Sequence, residues 1–209
     1  HYTWSVFHDV EGLKEAMGGS EAFTAMLDSV FVVPPVYDDS YYGFRIHEIT
    51  EMQVANMGNY AHGNQPAQHL LYLYDWTDTP WKGQKHIREV MDRLYSAAPD
   101  GYCGDEDNGQ TSAWYIFSAL GFYPVCPASD EYAIGTPYFP HARILLENGK
   151  TLDITARNAR KGSSSLDCYI GKIQVNGREY KSNFLNYSDL ISGATIEYTM
   201  VDTPEQGKN

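Results

Sequence analysis

Up to about residue 125 the apolar positions recur at a helical period; beyond Pro127 they alternate in short, β-branched runs. In the first stretch HDVEGLKEAMGG predicts a helix that Asp9 caps and Gly18-Gly19 ends. SEAFTAMLDSVF predicts a second, with Ser20 as its cap. Residues 32–48, VVPPVYDDSYYGFRIHE, read as a loop rich in proline and tyrosine, with Tyr41 and Tyr42 packing at the surface. QPAQHLLYLYDW has Pro66 near its first turn and is apolar nearly all round, which predicts a buried helix. TPWKGQKHIREVMDRLYSAA differs: Thr79 caps, Pro80 opens, and Ile87, Val90, Met91, Leu94 and Tyr95 share one stripe, while Lys85, Arg88, Asp92 and Arg93 take the face in water. GQTSAWYIFSALG is again apolar nearly all round and stops at Gly121. An inner, an outer and an inner helix joined by short links leave the two inner helices parallel. Their leading loops, YAHGNQP and GYCGDEDNG, then emerge at one end although about 45 residues separate them. That is the geometry of a double-layered helical toroid.

In the second stretch EYAIGTPYF, ARILLEN, KTLDITA, LDCYIGKIQVNGREY and GATIEYTM predict strands, and Asn176-Gly177 marks a hairpin. The expected fold class is mainly α with a β tail: a helical part over residues 1–127 that carries the polar loops, and an antiparallel β-sandwich portion over residues 128–209.

Composition narrows the partners. The net charge is −12 and no basic cluster tracks a phosphate backbone, which argues against nucleic acid. No apolar run reaches the roughly 18 residues of a membrane span. Cys103, Cys126 and Cys168 are odd in number and far apart, so no disulfide framework is expected. The opening HYTWSVFHDVEG carries neither an initiating Met nor a signal peptide, and the chain reads as a piece of a longer protein. The 17 tyrosines on an acidic chain suit a neutral, hydroxyl-rich ligand such as a sugar.

The chemistry concentrates in the two loops. Asp105, Glu106 and Asp107 sit against the mouth of an apolar helix. Asp107 or Asn108 could cap that helix, but capping explains one acidic residue and not three. In an extended loop Asp105 and Asp107 point the same way, and an ionised carboxylate at a pocket rim suits a general base. The tract is no EF-hand, because its Gly comes one place early and no Glu closes a 12-residue loop. In HGNQPAQH, His62 and His69 lack the i, i+4 spacing of a helical zinc pair. Tyr60 and His62 are candidates for substrate binding. Gly63, Asn64 and Gln65 offer neutral oxygens that suit calcium before magnesium once a carboxylate stands beside them; the alternative is a simple turn into the helix. Trp4 reads as core rather than as a sugar platform. No GxSxG elbow, phosphate loop or dinucleotide fingerprint is present.

HDVEGL, HGNQPAQH, YLYDW with PWKGQ, VMDRLY, PDGYCGDEDNGQTSAWYIFSALGFYPVCP and YAIGTPYF together resemble the C-terminal part of glycoside hydrolase family 92, from residue 2 to about residue 200. The resemblance implies a calcium-dependent, inverting, exo-acting α-mannosidase, of α-1,2 preference, acting outside the cytoplasm on mannose-containing glycans. It implies that the helices belong to an (α/α)6 toroid with strands after it, and that the missing N-terminal part of the parent is a partner. It assigns the base to Asp107, assisted by Asp105, and calcium to Gly63, Asn64 and Gln65, the last standing where the family commonly has Glu. The general acid is expected just upstream of His1, and Glu11 lies in the wrong motif for it. The fragment alone is expected to be inactive. A non-catalytic carbohydrate-binding or assembly fragment, and a toroid hydrolase of other sugar specificity, are the alternatives.

Overall fold

The computed structural model describes residues 2–41, 43–159 and 168–204; Tyr42, and the Leu166 and Asp167 that were expected to open a strand, lie outside the described residues. Helix α1 spans Val10–Ala16, and the Asp9 carboxylate accepts the Gly12 amide at 3.0 Å, as a cap should. Helix α2 spans Ser20–Val32, but its N-cap is Gly19 and Ser20 is already helical. Helix α3, His47–Ala55, follows the proline-rich loop and ends at Asn56 in the left-handed conformation. The sequence reading placed no element there.

The buried segment Gln65–Trp76 is helical as expected, but it winds as a 3₁₀ helix, with Ala67 through Asp75 all buried. That is long for this conformation, and all-round burial gives the sequence no period by which to tell it from an α-helix. Helix α4, Pro80–Arg93, lies against it so closely that a Cβ on Gly83 would stand 2.4 Å from the Leu71 carbonyl oxygen. Helix α5, Gln110–Leu120, closes the group through a Trp114 indole N–H to the Gln68 carbonyl (3.1 Å) and a Tyr72–Ser118 hydroxyl pair (2.6 Å). It is not buried on every side, since Ile116 is 58% exposed. Trp4 is core, edge-on to Phe23.

The strands form two sheets. Strands β1 (Phe122–Tyr123), β2 (Glu131–Ile134) and β7 (Phe184–Asn186) make a small antiparallel one. The larger contains β3 (His141–Leu145), β4 (Thr151–Arg157), β5 (Tyr169–Val175), β6 (Arg178–Tyr180) and β8 (Thr195–Val201), in the order β3-β4-β8-β5-β6. Asn176 and Gly177, both at positive φ, turn the β5–β6 hairpin. The antiparallel expectation fails at one pairing: β4 and β8 run parallel. The β5–β6 hairpin, β7 and the short helix α6 (Tyr187–Ile191) intervene and return the chain in the same sense; a period of two carries no direction. Leu152, Ile154 and Ala156 of β4 and Ile196, Tyr198 and Met200 of β8 alternate inward to a second apolar cluster beside the helical one.

Strand β5 and the segment that follows β2 cover one face of α4, which overturns one expectation. Arg88, assigned to the water face, is buried and donates to the Pro137 carbonyl (2.6 Å) and to Thr136 Oγ1 (3.3 Å), with its guanidinium 4.9 Å from the centre of the Tyr138 ring. At the same junction Asn183 Nδ2 donates to the Asp75 carbonyl at 2.9 Å, while Asp75 Oδ2 is buried without a partner.

Burial holds the Asp75 carboxyl well above the ordinary carboxylate range, opposed by the Ile134 amide. Such a group binds its proton more tightly folded than unfolded, so stability falls as pH rises from its unfolded pKa toward its folded one. Asp75→Asn, which cannot ionise, is therefore expected to stabilise the protein near neutral pH by about 1–3 kcal/mol. The gain should shrink toward about pH 4. Urea unfolding at the two pH values measures it, and a variant no more stable at neutral pH rules the ionisation cost out.

Candidate active site

The acidic loop curls rather than extends. Asp107, Asn108 and Gly109 have φ of 52°, 56° and 102°, left-handed values that Asp, Asn and Gly tolerate best. The curl swings Glu106 back over the first turn of α5. Its carboxylate accepts the Gly109 amide (2.7 Å), the Ser112 amide (3.3 Å) and the Ser112 hydroxyl (2.6 Å). The Ser112 hydroxyl and then the Gly109 amide hold the Glu106 carboxyl below its ordinary value. Capping is thus done by Glu106, and not by Asp107 or Asn108 as the sequence reading allowed. Asp105 and Asp107 are left exposed, and among the described residues neither carboxylate accepts a hydrogen bond. His47 Nε2 lies 3.9 Å from Asp105 Oδ2, an ion pair when the imidazole is protonated.

The second loop meets the first, as helix alternation predicted. Gln65 Nε2 donates to the Asp105 carbonyl (3.1 Å) and to Thr111 Oγ1 (3.3 Å). The backbones of Gly63 and Gly104 touch: a Cβ on Gly104 would stand 2.7 Å from Gly63 Cα. Tyr60 and His62 lie behind this rim, fully buried. His62 Nδ1 pairs with the Tyr60 hydroxyl (2.6 Å) and Nε2 with that of Tyr95 (2.7 Å), so both ring nitrogens are committed within the protein. Burial pushes the His62 pKa down to about 3, keeping the imidazole neutral.

Helix α3 brings in residues that sequence reasoning missed. His47 Nδ1 is 2.9 Å from Glu51 Oε1, an i, i+4 pair. Hydrogen bonding to Glu51, then the charge of Glu48, raises the His47 pKa. Glu51 Oε2 is buried without a partner. Points 2.7 and 2.8 Å from it, where Cβ atoms on Gly63 and Gly104 would sit, lie respectively 3.0 Å from the Cys103 carbonyl oxygen and 2.9 Å from that of Gly63. The i, i+4 spacing in HEITE and the Asn56 stop were the signals available for this helix.

A buried, unpartnered carboxylate oxygen of Glu51 close to the Gly63 and Cys103 carbonyl oxygens is a donor set that suits a hard cation such as calcium. Among the described residues no group of three or more His, Cys, Asp or Glu is placed to hold a metal, so backbone and amide oxygens would supply the remainder. A cleft of about 410 Å³, lined by Glu51, Val54, Arg93, Tyr95, Tyr102 and Cys103 among others, opens beside the cradle and does not include Asp105 or Asp107.

A rim with two uncommitted carboxylates beside an oxygen cradle, carried on helices backed by sheets, has the makings of a hydrolase site. Residues 1–202 match the family described as the glycosyl hydrolase family 92 catalytic domain, and the chain belongs to that family. Among solved structures it is similar to the family 92 inverting mannosidase BT2199 of Bacteroides thetaiotaomicron, at 53% identity and a TM-score of 0.80 over 99% of this chain and 27% of that one. It is also similar to the α-mannosidase BT3965 of the same organism in complex with mannoimidazole, at 38% identity and a TM-score of 0.83 over 98% of this chain and 25% of that one. A curated relative, an uncharacterized secreted glycosidase of Arthroderma benhamiae, is 25% identical over 92% of this chain and 22% of its own length. The chain therefore spans about a quarter of the length of the relatives it matches. No helix among the described residues is long and apolar enough to cross a membrane.

Proposed function

We propose that this chain supplies the base half of the active site of an inverting, exo-acting α-mannosidase, of α-1,2 preference, that removes terminal mannose from glycans outside the cytoplasm. The observation that carries the reading is the division of labour in the acidic loop: Glu106 takes the capping, which leaves the Asp105 and Asp107 carboxylates exposed and free of hydrogen bonds among the described residues. Asp107 is the base that takes a proton from the attacking water, and Asp105 assists. The general acid comes from a part of the protein outside this chain and stands across the sugar, roughly 6.5–9.5 Å away, so that the water fits between. Residues 1–127 form part of an (α/α)6 toroid and residues 128–209 a β-sandwich portion packed on it. The described rim is one wall of the pocket, and the N-terminal part of the protein supplies the others.

Gly63, Asn64, Gln65 and Glu51, through its buried Oε2, would hold calcium, which when bound supplies a fixed charge that orients vicinal sugar hydroxyls. Glu51 restores the negative charge that Gln65 lacks relative to a Glu at its position. Tyr60 and His62 act on substrate through the loops they support, because their polar atoms face one another.

The test uses the whole protein with p-nitrophenyl α-mannoside and α-1,2-mannobiose. Turnover is expected to be lost in chelator and restored by calcium, with β-mannose as the first product seen by NMR. Sugar binding without turnover, or release of α-mannose first, overturns the reading.

A further inference from the structure

The two loops meet at one side chain. Thr111, in the first turn of α5, is fully buried. Its Oγ1 donates to the Asp105 carbonyl at 3.0 Å and accepts from Gln65 Nε2 and Gln68 Nε2, each at 3.3 Å. Gln68 in turn donates to the His62 carbonyl (3.3 Å), and the Tyr95 hydroxyl donates to the Thr111 carbonyl (3.3 Å). One hydroxyl therefore joins the acidic loop, the start of the 3₁₀ helix and, through Gln68, the loop before it. A buried hydroxyl with one donor and two acceptor sites, all three used, is fully satisfied, so it fixes geometry in a way that a methyl group cannot.

We infer that Thr111 is a positioning residue that couples the Gly63–Gln65 loop to the Asp105–Asp107 loop, so that the base and the cation cradle move as one body. This rests on the proposed base role of the acidic loop for its effect on rate, but not for the coupling itself. Valine has nearly the shape of threonine and removes only the hydroxyl. It leaves the Asp105 carbonyl with the single Gln65 bond and takes the shared hub from both glutamines. Serine keeps the hydroxyl and loses the methyl.

The experiment compares Thr111→Val and Thr111→Ser in the whole protein. In Thr111→Val, amide hydrogen exchange is expected to quicken in residues 61–65 and 104–110 together, and kcat to fall by about 10- to 100-fold with a smaller change in KM, as a displaced base requires. Thr111→Ser should restore most of both. A merely structural role would lower the folded fraction while leaving kcat per folded molecule unchanged. Should Thr111→Val fail to fold, Gln65→Leu removes one spoke and is read by the same exchange. Wild-type exchange in both loops overturns the coupling. If the whole protein cleaves no α-mannoside, the mannosidase reading falls, and exchange alone still decides whether Thr111 couples the loops.

Discussion

Asp107→Asn in the whole enzyme is expected to lower kcat for α-mannoside hydrolysis by about 10²–10⁴-fold, the range that a positioned general base contributes. The folded structure should be unchanged. Position 107 is exposed, its φ is 52°, and its carboxylate holds no other described group. Asparagine tolerates that left-handed conformation at least as well as aspartate, so the substitution removes the proposed base and little else. Glu106 offers a contrast within the same loop. Glu106→Gln keeps one acceptor oxygen for the Gly109 amide or the Ser112 hydroxyl but gives up the charge at the start of α5. Its effect should appear in the stability of that helix end. Wild-type turnover by Asp107→Asn, measured on the whole enzyme with calcium present, removes Asp107 from the mechanism. A loss matched by an equal loss of folded protein reassigns it to structure.

Helices α1, α4 and α5 were readable because each is marked at its ends or along one face, whereas α3 was not read at all. Asp9 caps α1 and Gly121 stops α5, and the Ile87–Val90–Met91 stripe orients α4. The meeting of the two loops was readable for the same reason, since alternation of direction is a consequence of short links. Direction within the sheet was not, because strand alternation is blind to it, and β4–β8 came out parallel. Arg88 was misplaced because a helix wheel sees one core, whereas α4 has the 3₁₀ helix on one side and both strand β5 and the segment after β2 on another. In the candidate site the reader of a sequence sees three acids and must choose a cap among them. Only the left-handed turn at Asp107–Gly109 shows that the middle acid reaches back and the outer two do not. Glu51 was invisible because its importance lies in a missing partner, which no linear pattern records.

Gly104→Ala is expected to cut kcat/KM by about 10²-fold and to weaken calcium binding, without unfolding the protein. The added methyl would stand 2.7 Å from Gly63 Cα, 2.8 Å from Glu51 Oε2 and 2.9 Å from the Gly63 carbonyl oxygen. Two of those atoms are backbone, so no rotamer relieves the clash and the loops must part. A separation on the order of 1 Å is the displacement that costs about 10²-fold in a positioned site. The overpacking itself costs about 1–3 kcal/mol, which a folded enzyme of this size survives. Gly63→Ala should be milder, because its nearest clash, at 2.7 Å, is with the Glu51 carboxylate, an atom that can move, and the Cys103 carbonyl follows at 3.0 Å. Gly149→Ala serves as the control: its φ is +78°, nothing lies within 4 Å of the new methyl, and the turn between β3 and β4 is remote from both loops, so it strains backbone without touching the site. Calorimetric titration with calcium and turnover on an α-mannoside rank the three. If Gly104→Ala binds calcium and turns over as Gly149→Ala does, close contact of the two loops is not what holds the site together.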